Sequence, residues 1–130
     1  MRVLFVEDDP MNRRVVGDML QIVGAQMVEA EDAETGLRLI ESGSFSLVLM
    51  DLRMPGMDGL DAIRNIRARP DASAAVPIIV VTADTAVDIK ERCLSAGADD
   101  VILKPVAMKQ LFSVMGKLMV AAEKKKQERS

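Results

Sequence analysis

Short apolar runs alternate along this chain with longer segments in which apolar residues recur every three or four positions. Val3-Leu4-Phe5-Val6, Leu47-Val48-Leu49-Met50, Ile78-Ile79-Val80-Val81 and Val101-Ile102-Leu103 are continuous and are bounded by turn signals. Such runs read as strands buried on both faces, as in a parallel sheet. A fifth, more mixed strand is expected from Gln26 to Ala30, and the central one from Ser46 to Met50. Between them the pattern predicts helices. The first runs from Pro10 to about Val23 with Met11, Val15, Met19, Ile22 and Val23 inward; Asp9 and Pro10 suit its start and Gly24 its stop. Asp32 caps a second, with Ala33, Gly36, Leu37 and Ile40 inward and Gly43 at its end. Asp58 or Gly59 opens a third, whose Leu60, Ile63 and Ile66 face the core, and a loop covers Arg69 to Ala75. A polar fourth is expected from about Thr85 to Ala96, stopped by Gly97.

The last helix starts near Ala107 and carries the stripe Met108, Leu111, Phe112, Met115, Leu118, Met119 and Ala122, with Val114 and Ala121 outside it and Val120 at its edge. It is expected to dissolve into Glu123-Lys124-Lys125-Lys126, so that residues 1–122 form one domain and 123–130 a polar tail. Strand and helix alternate five times through connections too short for anything but right-handed parallel crossovers. The fold class is therefore α/β, a five-stranded doubly wound parallel sheet with five helices distributed over both faces.

Composition narrows the function. With 130 residues, 49% hydrophobic and 28% charged, the chain has the balance of one globular domain able to bury a proper core. A net charge of -3 argues against a nucleic-acid surface. The chain has no histidine, which removes histidine-based acid/base catalysis, histidine metal sites and self-contained phosphohistidine chemistry. Cys93 is the only cysteine, so no internal disulfide can form. The N-terminal apolar run is too short for a signal peptide and no window is long enough to span a membrane, so the expected location is cytoplasmic.

Four of the five strands end in polar groups: Glu7-Asp8, Asp51, Thr82 and Lys104. Ligands of open α/β sheets bind at that carboxyl edge, and in the strand order 2-1-3-4-5 the first and third strands are neighbours at the switch point. Polar residues also follow strands simply because loops are polar. What distinguishes this set is its order, with Lys104 placed before a proline. Three carboxylates brought together repel one another unless a cation holds them, and oxygen ligands without histidine or cysteine favour Mg²⁺. Lys104 supplies a point charge and Thr82 a hydroxyl for phosphoryl oxygens. The chemistry suited to this set is transfer of a phosphoryl group to a carboxylate nucleophile, Asp51.

Glu7-Asp8, Asp51 followed by Met54-Pro55-Gly56-Met57-Asp58-Gly59, Thr82-Ala83 and Lys104-Pro105 together resemble the receiver domains of two-component response regulators, over about residues 2 to 120. The resemblance implies a flavodoxin-like receiver fold, Asp51 as phosphoacceptor, and Mg²⁺ held by Glu7, Asp8, Asp51 and the main-chain carbonyl of Arg53. It also implies that Thr82 and Lys104 contact the phosphoryl group, and that the Lys104-Pro105 bond is cis. The partners implied are a sensor histidine kinase or histidine phosphotransfer protein and a downstream effector protein, with no membrane insertion and a monomeric or weakly dimeric state. Pro10-Met11-Asn12-Arg13 and the Arg53 to Gly59 run also look like receivers of hybrid histidine kinases, although the expectation is a stand-alone regulator.

A phosphatase of the haloacid dehalogenase type is a rival, since it too uses an Asp nucleophile, Mg²⁺, Thr or Ser and Lys. It needs a second acid two residues after the nucleophile, where this chain has Arg53. The chain is therefore read as a phosphoacceptor with slow autodephosphorylation, not a dedicated enzyme. A flavin-binding site fails because acids after the first strand repel a phosphate.

Many receivers carry an aromatic residue two or three positions before the motif lysine; here the matching residue is Val101, and the chain has no Tyr. Switching is accordingly expected to rely on Thr82, Ala83 and Asp84, with Val101 lacking a ring to swing. Arg53 and Asp84 are expected to pair across the site and screen attacking water. On the last helix the apolar stripe is expected to pack on the sheet, with Val114, Ala121 and Val120 in excess of it; the helix is also the candidate partner surface, with Met108, Leu111 and Met115 as its residues.

Overall fold

A computed structural model describes residues 1–128. The elements are β1 (Arg2–Val6), α1 (Pro10–Ile22), β2 (Gln26–Ala30), α2 (Ala33–Ser42), β3 (Leu47–Asp51), α3 (Gly59–Arg67), a single 3-10 turn (Ala72–Ala75), β4 (Ile78–Thr82), α4 (Ile89–Ala96), β5 (Asp100–Leu103) and α5 (Met108–Glu128). The five strands are all parallel, in the order β2-β1-β3-β4-β5. Alternate side chains of each strand enter separate cores, as the two-residue strand period requires. Leu4, Val6, Val48, Met50, Ile78 and Val80 pack under α2, α3 and α4. Val3, Phe5, Leu47, Leu49, Ile79 and Val81 pack under α1 and α5. Every residue of β3 and β4 is buried, which explains why these strands read as unbroken apolar runs.

Helix starts follow their caps. The carboxylates of Asp9, Asp32 and Asp58 accept amides of the first turns of α1, α2 and α3. In α3 and α2 the predicted inward residues are the buried or packed ones.

Four expectations are corrected by the packing. In α1 the buried residues are Val16 and Leu20, while Met11, Val15, Ile22 and Val23 are exposed. Helix α1 has two apolar stripes about one residue apart. Docking selects the second: Arg13 is fastened to the Glu7 carbonyl at 2.7 Å, and a Cβ on Gly17 would meet Met27 at 2.8 Å. Helix α4 begins at Ile89 instead of Thr85, because residues 83–88 spend their polar groups locally. The Asp84 amide donates to Thr82 Oγ1 at 3.0 Å and the Ala86 amide to Asp84 Oδ1 at 2.9 Å, bonds that compete with a helix.

Helix α5 does not dissolve at Glu123 but continues through Glu128, a segment of good helix formers; the rest of the expected tail, 129–130, lies outside the described residues. Finally, Leu111 and Met115, expected on the partner surface, are buried in the core beside Ile102, as is Val114, which was placed outside the stripe. Of the three partner-surface candidates only Met108 is exposed. The expected 69–75 loop also contains the 3-10 turn, capped by Asp71, whose carboxylate accepts the Ser73 amide and hydroxyl.

Near the amino end of β4, Arg67 ties α3 to two stretches of chain, 74–76 and 97–99. Its guanidinium donates to the carbonyls of Gly97 (2.8 Å), Ala74 (2.8 Å) and Val76 (2.6 Å) and pairs with Asp99 at 3.0 Å. The same Asp99 oxygen accepts the Ile78 amide, so one cation and one anion close the entry to β4.

Candidate functional site

The site follows from strand register. Val6 pairs with both Ala30 and Met50, so the chain leaves β1 at the level where β3 ends in Asp51. Glu7 is then fixed by its own backbone: its amide donates to the Ala30 carbonyl at 3.0 Å, and its carbonyl holds Arg13. At the other side of Asp51, α3 comes close. The Gly59 amide donates to the Leu52 carbonyl at 3.0 Å, and a Cβ on Gly59 would overlap the Asp51 carbonyl and Leu52 Cα. Only glycine allows this approach. Lys104 is brought in from β5, its amide bonded to the Thr82 carbonyl at 2.8 Å, and the Lys104-Pro105 bond is cis.

These elements enclose a cleft of about 270 Å³ lined by Glu7, Asp8, Asp9, Asn12, Asp51, Arg53, Thr82, Ala83 and Lys104. One carboxylate oxygen from each of Glu7, Asp8 and Asp51 lies within 4.8 Å of the others. Glu7, Asp51 and Thr82 are buried and Asp8 is exposed at the mouth. Lys104 Nζ stands 2.7 Å from Glu7 Oε1 and 3.3 Å from Asp51 Oδ1. Burial pulls the Lys104 ammonium down, but the hydrogen bond to Glu7 and the charge of Asp51 outweigh it and hold its pKa above the ordinary lysine value. Lys104 offsets only part of the charge of three carboxylates. An all-oxygen donor set with surplus negative charge fits a hard divalent cation.

A model of the response regulator receiver domain matches residues 3–115, nearly the whole chain. The chain belongs to this family. As a receiver it is 37% identical over 116 residues to sensor protein GacS of Pseudomonas syringae pv. syringae, covering 88% of this chain and 13% of that protein. It is 38% identical over 111 residues to a cyclic di-GMP phosphodiesterase of Thermotoga maritima, covering 85% of this chain and 29% of that one. The receiver thus spans a small part of both relatives. Among solved structures it resembles the receiver domain of a sensor histidine kinase from Pseudomonas aeruginosa, with a TM-score of 0.83, 34% identity and 91% and 96% of the two chains covered. That structure has a magnesium ion coordinated in its active site cleft. A receiver domain protein from Methanospirillum hungatei superposes with a TM-score of 0.87 at 28% identity, over 95% of this chain and 97% of its own. Receiver domains are phosphoacceptors that bind Mg²⁺ at an acidic site and interact with histidine kinases or phosphotransfer proteins.

The receiver brings together Glu7, Asp8, Asp51, Thr82 and Lys104, anticipated from the strand ends, with Ala83, anticipated from the resemblance. Arg53 reaches over the cleft to Asp84 at 3.4 Å, with Arg92 of α4 3.8 Å from the same carboxylate oxygen. The Ala86 amide first, with help from Arg53 and Arg92, holds the Asp84 carboxyl below its ordinary value against the opposing effect of burial. Val101 is half-buried and packs against the core beneath α4, away from the cleft lining. Two residues were not anticipated as part of the site. Asn12 Nδ2 donates to Glu7 Oε1 at 3.1 Å, and Arg13 links the Glu7 carbonyl to Glu29 at 3.3 Å. Their signal was their place in the Pro10-Met11-Asn12-Arg13 run, the first turn of a helix that begins just after the acidic pair.

Among the described residues no helix is long and apolar enough to cross a membrane.

Proposed function

We propose that Asp51 accepts a phosphoryl group from a phosphohistidine of a sensor histidine kinase or phosphotransfer protein, in a Mg²⁺-dependent transfer. The phosphorylated form would then signal by binding an effector protein. The observation that carries this reading is the buried Asp51 carboxylate, set 3.3 Å from Lys104 within a three-carboxylate cluster. An Asp51 oxygen attacks phosphorus, the bond from phosphorus to the donor imidazole breaks, and its electron pair stays on that nitrogen, leaving an acyl phosphate on Asp51. Glu7, Asp8, Asp51 and the Arg53 carbonyl would hold Mg²⁺, which when bound neutralises carboxylate and phosphoryl charge. Lys104 supplies the remaining positive charge by turning from Glu7 toward the phosphoryl oxygens.

Thr82 couples the site to α4. Its hydroxyl accepts the Asp84 amide and still has a proton to give to a phosphoryl oxygen. Movement of Thr82 therefore drags Asp84, and with it the pairs to Arg53 and Arg92. This route needs no aromatic side chain at Val101. The receiver of a hybrid kinase and a free-standing regulator share this chemistry.

Intact-mass analysis after incubation with acetyl phosphate tests the reading. One phosphoryl adduct is expected, dependent on Mg²⁺ and missing from Asp51→Asn, with altered amide exchange across residues 83–88 of the modified protein. An adduct that persists in Asp51→Asn would refute the assignment.

A further inference from the structure

Glu7 is fully buried, and its two carboxylate oxygens have unequal company. Oε1 accepts from Lys104 Nζ at 2.7 Å and from Asn12 Nδ2 at 3.1 Å, whereas Oε2 has the Asp9 amide at 3.5 Å, the outer limit of a hydrogen bond. The backbone that carries this carboxylate is fixed, since the Glu7 amide and carbonyl are both tied, to Ala30 and Arg13. Lys104 is the group the transfer chemistry calls away. Once it turns to a phosphoryl group on Asp51, the buried Glu7 carboxylate would keep the cation and the Asn12 amide as its partners.

Asn12 is then the one side-chain hydrogen-bond donor left on Glu7 among the described residues. Its amide stays on Oε1 without bringing a second positive charge into a cleft that must admit a divalent cation, as a lysine or arginine there would. It is also rigidly placed, on the first turn of α1, behind the Asp9 cap and Pro10, with Arg13 anchoring the following position.

We infer that Asn12 is a positioning residue of the phosphotransfer site: its side-chain amide keeps Glu7 aimed at the cation while Lys104 exchanges Glu7 for the phosphoryl group. The inference rests on the assignment of Glu7 as a cation ligand and Asp51 as phosphoacceptor. Groups that orient a ligand through a hydrogen bond typically change metal affinity by about ten- to a hundredfold when removed.

The test is calorimetric titration of the parent, Asn12→Ala and Asn12→Gln with MgCl₂, without any phosphodonor. Alanine is the better helix former and leaves α1 intact, which a urea unfolding curve verifies. Asn12→Ala is expected to bind Mg²⁺ at least about tenfold more weakly, and Asn12→Gln, which keeps an amide donor, to recover most of the loss. An Asn12→Ala variant that binds Mg²⁺ as tightly as the parent overturns the inference, as does an equal loss in both variants. A parent that neither binds Mg²⁺ nor forms the Asp51 adduct instead overturns the functional assignment itself.

Discussion

Two cations sit at opposite ends of β4 and are held in opposite ways. Arg67 spreads its planar guanidinium over three backbone carbonyls and Asp99, four acceptors in two stretches of chain, 74–76 and 97–99. Burial lowers its pKa and Asp99 opposes that, a contest far too small to discharge an arginine. Lys104 is shared between two carboxylate oxygens, one at 2.7 Å and one at 3.3 Å. A fork with several fixed donors can only stay or break, while an ammonium can pass from one anion to another at small cost. The fold thus has an arginine where the chain is closed and, under the proposed function, a lysine where charge is handed over.

The comparison can be broken most severely at Arg67. Arg67→Ala should cost about 3 kcal/mol, since half-buried carbonyls and Asp99 lose a charged donor together. Urea unfolding measures this, and Mg²⁺ should not restore the loss; Arg67→Lys should recover little of it, because an ammonium cannot fork. Lys104→Ala should show the reverse profile. Phosphoryl uptake from acetyl phosphate should slow by about a hundredfold. Any loss of stability should be largely recovered by Mg²⁺, which replaces the missing charge beside Glu7 and Asp51. If Mg²⁺ rescued Arg67→Ala and not Lys104→Ala, the distinction between closure and exchange would be lost.

Smaller effects sharpen the same contrast at exposed pairs. Arg53 is 81% exposed where it meets Asp84, so the pair is weak and open to screening by salt. Arg53→Ala should shorten the lifetime of phospho-Asp51 by about twofold, the equivalent of a few tenths of a kcal/mol, followed by mass spectrometry during dephosphorylation. Equal lifetimes would remove Arg53 as a screen against water.

The smallest effect is expected at Asp71, which joins the scaffold pairs through Arg69 at 2.8 Å. Hydrogen bonds from Ser73 and then Arg69 lower its carboxyl from 3.8 to about 2. A depressed carboxylate stabilises the fold above its unfolded value and loses that contribution as pH falls through the folded one. The stability difference between parent and Asp71→Asn should thus be present at pH 5 and shrink between about pH 4 and pH 2. Urea midpoints at both ends of that range decide it.

Much of this receiver could be read before folding. A run of four or five apolar residues has few uses other than a strand buried on both faces, and parallel crossovers place all strand ends on one edge. Glu7, Asp8, Asp51, Thr82 and Lys104 therefore had to meet. Where α1 turns its face was not determined in that way: two apolar stripes about 100° apart are nearly equal in pattern, and the Arg13 anchor and the small Gly17 chose between them. The start of α4 was likewise decided by side chains of Thr82 and Asp84 competing for backbone amides. Leu111 and Met115 were lost as a surface because α5 rotates them onto β5.

The role of Asn12 depends on a hydrogen bond to a residue five positions earlier, made real only when α1 packs back across the end of β1. Hydrophobic period and strand ends, both local properties of the chain, determined the architecture and the reacting groups. Helix orientation, half-turn boundaries and the hydrogen bonds that aim those groups were left to tertiary packing, because each depends on differences of a few kcal/mol between arrangements that the pattern alone makes almost equivalent.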